Sequence, residues 1–291
     1  MRYQTAGTAT ANCSGGSGVF QRVGTRSESG EEPTAPDSLD SVCFVTDFDP
    51  AFSFYDDPDV PEGGDADKYS LILREYHQAL WSKPLPTGAI LDLRADEYGI
   101  SVTSPAELTH LRLSSDTIAS THSNYRHRGI DALWNLLPAE DQLRYDRRFY
   151  TIGGFIVFPR HSNSINQRRG TDGRIDDRFD LTLECIRLYY EGVTDLDLNP
   201  LGDVLRADSH FFDLFGRGAD GFASYVSFFH LGELAGDGRI RWFDGFTGDS
   251  WTFEVSPLPK NLDAYRRYLD NVLRFVRDRG DQMAGALSGS K

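Results

Sequence analysis

The sequence has few cysteines and no metal-binding arrangement of them. Its three cysteines, Cys13, Cys43 and Cys185, are widely spaced and form neither a C-x-x-C pair nor a Cys/His cluster at zinc spacing. A disulfide-stabilised scaffold is therefore excluded. A reducing compartment is the simplest one for such a chain, which predicts a cytoplasmic protein.

Long hydrophobic runs are also missing. Uninterrupted apolar runs such as residues 155–158 are far shorter than the roughly 20 residues of a membrane-spanning helix. The first 18 residues lack the apolar core of a secretory signal. We therefore expect no standard secretion signal and no membrane partner.

Several nucleotide-binding and hydrolase motifs are absent. The chain contains neither a Walker A sequence nor G-x-S-x-G, which argues against P-loop hydrolases and α/β-hydrolases. Its G-x-G-x-x-G at residues 216–221 follows a predicted helix, so we expect a loop between helices there and no dinucleotide site. Residues 47–49 superficially resemble the aspartyl-nucleophile motif of haloacid-dehalogenase-type phosphatases, but Pro50 and Ala51 stand where that motif has Gly-Thr. That class is not expected.

Positive charge is scarce and unevenly distributed. The chain has 30 Lys and Arg against 44 Asp and Glu, a net charge of −14, and only four of its bases are lysines. Such a protein repels phosphate unless its positive charge is concentrated in one place. Residues 144–178 hold eight arginines and four aspartates, a local net charge of +4. An anionic ligand is therefore expected in this part of the chain.

Residues 1–40 differ in composition from the rest. They contain 11 apolar residues and a Gly/Ser-rich stretch, which predicts a disordered N-terminal tail. Residues 41–291 show no internal repeat or linker and are expected to form one domain. Strand candidates come early and helices late, without regular βα alternation. The fold class is therefore predicted as α+β, with a small, mostly antiparallel sheet in the front half and a helical back half.

Apolar periodicity and capping residues predict the individual elements. Strands are predicted at residues 42–45, 89–93, 108–113 and 149–158. Helices are predicted at residues 69–81, 163–169, 177–191, 200–206, 209–215 and 221–231. A hairpin at 239–246 and 250–255 precedes a final amphipathic helix that Asn261 caps and Gly280 ends. The aspartate-rich stretch 47–67 is expected to be a solvated surface loop, and the aromatics at 211–253 are expected to pack in the core.

A short polar segment after the last strand candidate is the first candidate site. A strand that runs into a polar helix N-terminus presents backbone N–H groups, and flanking guanidiniums can bind phosphate or carboxylate. The candidate ligand-binding residues are Arg160, His161, Asn163, Asn166, Arg168 and Arg169. The expected ligand is a nucleotide or a short stretch of nucleic acid. The alternative is that these arginines pair with the protein's many carboxylates and are structural.

A polar line on an otherwise apolar helix is the second candidate site. Asp180, Glu184 and Arg187 form this line, and two carboxylates four residues apart repel each other unless a cation lies between them. In the first interpretation, the carboxylates belong to a buried structural network, and the cation is Arg168, Arg169 or Arg187. In the alternative, Mg²⁺ is the cation and candidate cofactor, and Asp180 and Glu184 are catalytic.

Two histidines are candidate general acids or bases. None of the seven histidines falls in an H-E-x-x-H or H-x-H pattern. His161, beside Arg160, and His210, near Asp208, are the candidates, because imidazole titrates near neutral pH. Each histidine taken alone is more often structural.

Several longer stretches resemble a known family. They are YHQALWSKPLP at 76–86, LSSD at 113–116, IGGFIVFP at 152–159, Ile165-Asn166 with Arg169-Gly170, and DRFDLTLECIRLYY at 177–190. Together they resemble an uncharacterised, mainly bacterial family that carries only a domain-of-unknown-function label. The resemblance runs from about Asp47 to Arg279. It implies a soluble, single-domain protein and supplies no activity, cofactor or catalytic residue.

Three functional hypotheses remain. The first is a cytoplasmic protein that binds a phosphate-bearing ligand at the Arg/His/Asn segment. The second is a metal-dependent phosphoryl or phosphodiester enzyme that uses Asp180 and Glu184 with His161 or His210. The third is a non-catalytic interaction protein whose final helix forms a dimer or partner surface. The simpler expectation for this helix is that it packs on the protein's own core. The sequence leaves open the oligomeric state and whether the protein is an enzyme.

Overall fold

A computed structural model gives the arrangement of the strands and helices. It describes residues 48–62, 64–96, 99–103, 110–118, 129–169, 174–243 and 259–288. All of these lie in the part of the chain from Val42 to Lys291. The predicted tail, the strand candidate at 42–45 and the second strand of the predicted hairpin lie outside the described residues. The division into a tail and one domain therefore stays a prediction.

Four antiparallel strands form one sheet in the front half. They are β1 (Asp92–Asp96), β2 (Gly99–Thr103), β3 (His110–Thr117) and β4 (Phe155–Pro159), in the spatial order β1-β2-β3-β4. β3 pairs with β2 through residues 110–113 and with β4 through residues 113–117. All five residues of β4 are buried, as expected of a short, continuous apolar strand. The predicted small antiparallel sheet is confirmed.

Helices form most of the remaining described chain. They are α1 (Ala66–Tyr69), α2 (Leu71–Trp81), α3 (Gly129–Trp134), α4 (Ala139–Phe149), α5 (Ile165–Arg168), α6 (Phe179–Tyr190), α7 (Gly202–Ala207), α8 (Ser209–Phe212), α9 (Gly218–Phe228), α10 (Gly232–Ala235) and α11 (Leu262–Ser288). Those from α5 onward follow β4, so the α+β class with a helical back half is confirmed. None of the described helices is both long enough and apolar enough to cross a membrane.

The helix that was predicted at 69–81 begins two residues later, because Ser70 separates α1 from α2. The Leu73 N–H donates a hydrogen bond to the Ser70 Oγ at 3.0 Å, which caps α2. The buried face of α2 includes Leu73 and Leu80 and packs against β1. The helix ends at Trp81, as predicted.

The long helix α11 departs from its predicted end. Asn261 caps it as predicted, because the Ala264 N–H donates to the Asn261 Oδ1 at 2.9 Å. The predicted end at Gly280 is wrong, since the helix continues to Ser288. A Cβ on Gly280 would lie 3.8 Å from the Gly153 Cα. This glycine therefore lies where α11 packs on the turn before β4, and it does not stop the helix.

The apolar stripe of α11 is covered by the rest of the chain. Tyr265, Leu269, Val272 and Val276 are buried in the hydrophobic core. The simpler expectation for this helix, that it packs on its own core, is confirmed. The same side chains therefore do not form a free partner surface.

Two element predictions are wrong where the described chain tests them. Phe149 ends α4, and residues 152–154 form a 3₁₀ turn, so the predicted strand at 149–158 forms only in its second half. Residues 239–243 form no strand, so the first part of the predicted hairpin is not a strand. Helix α4 was not predicted because only Tyr145 and Phe149 are buried among its 11 residues, too few for a detectable periodicity.

Aromatic rings fill the centre of the helical half. Phe215, Tyr225 and Phe229 pack against one another with ring centroids 4.9–5.5 Å apart. The expected core packing is confirmed for these residues. The G-x-G-x-x-G at 216–221 begins between a 3₁₀ turn and α9, with φ of 104° at Gly216. Its residues 218–221 form the first turn of α9, so the predicted loop is confirmed only for residues 216–217.

Candidate functional site

The arginine segment, residues 160–169, follows directly on β4. The Arg160 N–H donates to the Arg112 carbonyl at 2.7 Å, which extends the β3–β4 pairing by one residue. Ser164 and Ile165 are buried and hold the middle of the segment against the core. Helix α5 spans only four residues, so it contributes little helix dipole. A ligand bound here has to be held mainly by side chains.

We call Arg160, His161, Asn163 and Arg168 the surface cluster, because hydrogen bonds join the last three and Arg160 precedes them directly in the chain. Arg160 and His161 are exposed, and Arg168 is half-buried. The Arg168 Nε donates to the Asn163 Oδ1 at 2.5 Å. Within the described ranges Arg168 has no carboxylate partner. A guanidinium held by a neutral amide keeps its positive charge and can donate further hydrogen bonds to an anion.

His161 is held by Asp208. The His161 Nε2 lies 2.8 Å from the Asp208 Oδ1, and the Asn163 N–H donates to the His161 Nδ1 at 3.2 Å. The neutral ring therefore carries its proton on Nε2. Burial raises the pKa of Asp208 above its usual value. His210, the other histidine candidate, is exposed, and its side chain makes no hydrogen bond in the described part of the chain.

Arg169 points into the protein. Its side chain is 1% exposed. The Nε donates to the Asp177 Oδ1 at 2.7 Å, the Nη2 donates to the Thr117 carbonyl at 3.0 Å, and the Nη1 lies 3.4 Å from the Asp116 Oδ2. Burial raises the pKa of Asp116 to about 6, although the Arg169 charge opposes this shift. Arg169 thus ties β3 to the chain before α6, which is the structural role that the sequence left open for it.

Asn166 connects the arginine segment to the sheet. Its Nδ2 donates to the Ser114 Oγ at 3.2 Å, while its Oδ1 is buried and has no hydrogen-bond partner. Buried acceptors without a donor are uncommon. Because this oxygen has no contact with solvent, only a small group that enters the segment, such as a water molecule, can donate a hydrogen bond to it.

Asp180 and Glu184 each pair with an arginine of their own. Asp180 is fully buried and accepts from the Arg178 Nη2 at 2.7 Å and from two backbone N–H groups at 3.0 Å. Glu184 accepts two hydrogen bonds from Arg187, at 2.6 and 2.8 Å. Nowhere in the described ranges do three His, Cys, Asp or Glu side chains meet as a metal site requires. The geometry therefore favours the structural network for this pair of carboxylates.

A chain of buried hydrogen bonds, absent from the sequence predictions, lies within electrostatic reach of Arg160. The Trp81 Nε1 donates to the His77 Nδ1 at 2.9 Å, so the His77 proton is on Nε2, which lies 2.7 Å from the Ser115 Oγ. The Ser115 hydroxyl and N–H both donate to the Asp67 carboxylate at 2.5 Å. Burial raises the pKa of Asp67 to about 6 and lowers that of His77 to about 3.

The sheet explains why Asp67 binds Ser115. The pairing of β2 with β3 ends at Leu113, so the Ser115 N–H has no strand partner on that side, and the carboxylate takes the place of one. The result is a link between α1, α2 and β3. His77, Trp81 and Ser115 all lie in stretches that carry the family resemblance. That resemblance was the only signal in the sequence for these buried hydrogen bonds.

The aspartate-rich stretch at 47–67 is only partly a solvated loop. Asp57 and Asp67 are buried, and the Ser70 Oγ donates to the Asp57 Oδ2 at 2.5 Å. The prediction of a solvated surface is wrong for these two residues. Short carboxylates readily accept hydrogen bonds from nearby hydroxyl and N–H groups, and composition alone does not distinguish them from solvated ones.

Comparison with known proteins gives one match. The model of a family of unknown function (DUF6994) matches residues 48–283. No curated protein and no solved structure matches the chain significantly. The matched range contains the arginine segment and the buried hydrogen-bond chain. The predicted resemblance to an uncharacterised family is confirmed.

Proposed function

The chain belongs to this family of unknown function, and we propose that it binds a phosphate-bearing ligand at the surface cluster. The ligand is a nucleotide or a short stretch of nucleic acid. Arg160 and Arg168 supply the charge, and His161, Asn163 and Asn166 supply hydrogen bonds. Arg169 holds the segment in place from inside.

The observation that supports this proposal is the opposite placement of two neighbouring arginines. Arg169 is buried with carboxylate partners, whereas Arg168 is held by Asn163 and, in the described part of the chain, has no carboxylate partner. The Asn163 N–H also donates to His161, so Asn163 joins a guanidinium and an imidazole on a segment that Arg169 anchors from inside. Such an arrangement fixes the side chains before a ligand arrives.

Charge chemistry fits a phosphate better than a neutral ligand. A guanidinium can donate two parallel hydrogen bonds to one phosphate. The protein as a whole carries a charge of −14, so an anion is repelled at long range and gains energy only from close contacts. When arginines bind phosphates, the counterions of the phosphates are released, and added salt opposes that release, so binding should weaken as salt rises.

We further propose that the protein acts in the cytoplasm of a bacterium. The support is the small number of cysteines, with no C-x-x-C pair among them, and the resemblance to a mainly bacterial family. The metal-dependent enzyme hypothesis is not carried forward, because Asp180 and Glu184 would first have to leave their arginines.

The test is a binding titration of the full chain with ATP and with a ten-nucleotide single-stranded RNA, at 50 and 200 mM salt. The variant is Arg160→Ala with Arg168→Ala. Because a hydrogen bond to a charged group is worth about 1.5–3 kcal/mol, we expect the double variant to bind at least about tenfold more weakly. Raising the salt from 50 to 200 mM should also weaken binding by the parent protein.

The matched control removes two surface arginines elsewhere, Arg217→Ala with Arg241→Ala. Each of these pairs with an aspartate four residues away on the surface. The control should bind like the parent. Equal binding by the parent and by the Arg160/Arg168 variant, or no binding by the parent, would refute the proposal. A response to ATP alone would select a nucleotide, and a response to RNA alone would select nucleic acid.

A further inference from the structure

We propose that the groove between α4 and α11 is a second ligand site, separate from the surface cluster, and that it takes a small organic phosphate with an apolar body. The groove is a cavity of about 410 Å³, within the usual size range of small-molecule sites. It shares no residue with the arginine segment. The proposal therefore does not depend on the function proposed above.

The floor of the groove suits an apolar body. Pro50, Leu273 and Val276 line it, together with Ala51. The cavity lies where α11 crosses the turn before β4, and Gly153 allows the two backbones to meet closely there. This close contact fixes the position of Val276 within the floor. A flat or compact apolar group can rest on it and lose contact with water.

The walls of the groove suit an anion. Arg144 and Arg148 come from α4, and Arg274 and Arg277 come from α11. Among the described residues Arg148 has no carboxylate partner, although Arg144 on the same helix pairs with Asp141 at 3.2 Å. Arg148 is thus the primary anion contact.

The other three arginines have partners that a ligand can replace. They pair with Asp141, Glu233 and Asp278 at 2.8–3.5 Å, and each arginine side chain is more than half exposed. Exposed pairs of this kind are screened by water and add little stability. A phosphate that binds two guanidiniums at once therefore competes well with a single carboxylate.

Two carboxylates limit the size and charge of the ligand. Asp270 and Asp281 also line the groove, and Asp270 accepts a hydrogen bond from the Tyr145 hydroxyl at 2.7 Å. Asp270, Asp281 and the three carboxylates that pair with the arginines nearly balance the charge of the four arginines. A long polyanion such as nucleic acid would meet these acids along its length, whereas one phosphate can sit against Arg148 and avoid them. A small monophosphate is therefore the ligand class that fits.

The test is a calorimetric titration of the full chain with phenyl phosphate as the probe. Inorganic phosphate and phenol, which represent the two halves of the probe, are titrated separately. We expect saturable binding of phenyl phosphate at one site and weaker binding of either half. The variant Arg148→Ala with Arg277→Ala should weaken phenyl phosphate binding at least tenfold. Leu273→Ala should weaken phenyl phosphate more than inorganic phosphate, because Leu273 lies on the floor.

Two control variants make the outcomes distinct. Arg217→Ala with Arg241→Ala removes arginines from other surfaces and should change binding less than twofold. Arg160→Ala with Arg168→Ala should also leave phenyl phosphate binding unchanged. No saturable binding, or unchanged binding by the Arg148/Arg277 variant, would overturn the proposal. Loss only in the Arg160/Arg168 variant would also overturn it and would assign the phosphate to the surface cluster.

Discussion

Replacing Gly153 by alanine should force α11 away from the turn that precedes β4. A Cβ at Gly153 would lie 2.0 Å from the Val276 carbonyl oxygen and 2.9 Å from the Gly280 N. Both atoms belong to backbone, so no change of side-chain rotamer relieves the clash. Helix α11 would have to shift by on the order of 1 Å to restore ordinary contact distances.

The cost of that shift can be worked out from Arg279, which lies on the same helix. Its guanidinium is buried and donates to the Gly153 and Phe155 carbonyls at 2.7 Å and to the Phe229 carbonyl at 2.9 Å. Overpacking alone costs about 1–3 kcal/mol, and a strained hydrogen bond from a buried cation adds about 1.5–3 kcal/mol. We therefore expect Gly153→Ala to lower the free energy of unfolding by about 2.5–6 kcal/mol, which lowers Tm by roughly 10 °C.

Two glycines that lie on α11 itself provide matched controls. Nothing lies within 4 Å of a Cβ at Gly285, so Gly285→Ala should stabilise the protein by about 0.5–1 kcal/mol through helix propensity. A Cβ at Gly280 would meet Pro50 at 3.4 Å, an ordinary contact, so Gly280→Ala should stay within about 1 kcal/mol of the parent. Urea unfolding followed by tryptophan fluorescence measures all three. A Gly153→Ala variant within about 1 kcal/mol of the parent would refute the close contact.

Three further predictions concern buried polar groups. Arg169→Met should destabilise the protein by about 3–5 kcal/mol, because it leaves the buried Asp177 and the half-buried Asp116 without their guanidinium; a loss under about 1 kcal/mol in urea would contradict its anchoring role. Burial raises the pKa of Asp67 to about 6 in the folded state, so the folded protein holds an extra proton between roughly pH 4 and 6, and its free energy of unfolding should fall as pH rises through that range. Asp67→Asn should remove part of that fall, and parallel unfolding curves against pH would show it. Cys185 is buried and burial raises the pKa of its thiol, so, once the other two cysteines are replaced by serine, it should react with a thiol reagent only when the protein unfolds.

Dense apolar patterns made some elements predictable. In α6, eight of 12 residues are buried, and β4 is buried throughout, so both stand out in the sequence. Helix α4 is the opposite case, because it touches the core through Tyr145 and Phe149 only. Apolar periodicity in the sequence reflects how much of an element is buried. An element that contacts the core through only a few residues has too few apolar positions for its periodicity to be detected.

The candidate site was predictable in position but not in detail. The sequence placed a polar, arginine-rich segment after a buried strand, and the structure has it there. It could not separate Arg168 from Arg169, because the partners of Arg169 are Asp116 and Asp177, the first of them on a strand 53 residues upstream. Which of two adjacent arginines turns inward depends on these tertiary contacts, and α5 is too short for its periodicity to decide.

Arginine density is therefore a poor guide to ligand binding in this protein. Arg169, Arg178 and Arg279 are all buried, and Arg279 donates only to backbone carbonyls in the described chain. Such arginines cross-link strands and helices. The main ligand contact among the arginines has to be accessible, to lack a carboxylate partner and to adjoin other polar groups or a cavity. Within the described residues Arg168 meets these conditions beside Asn163, and Arg148 meets them in the α4–α11 groove, which is why the two proposals rest on these two side chains.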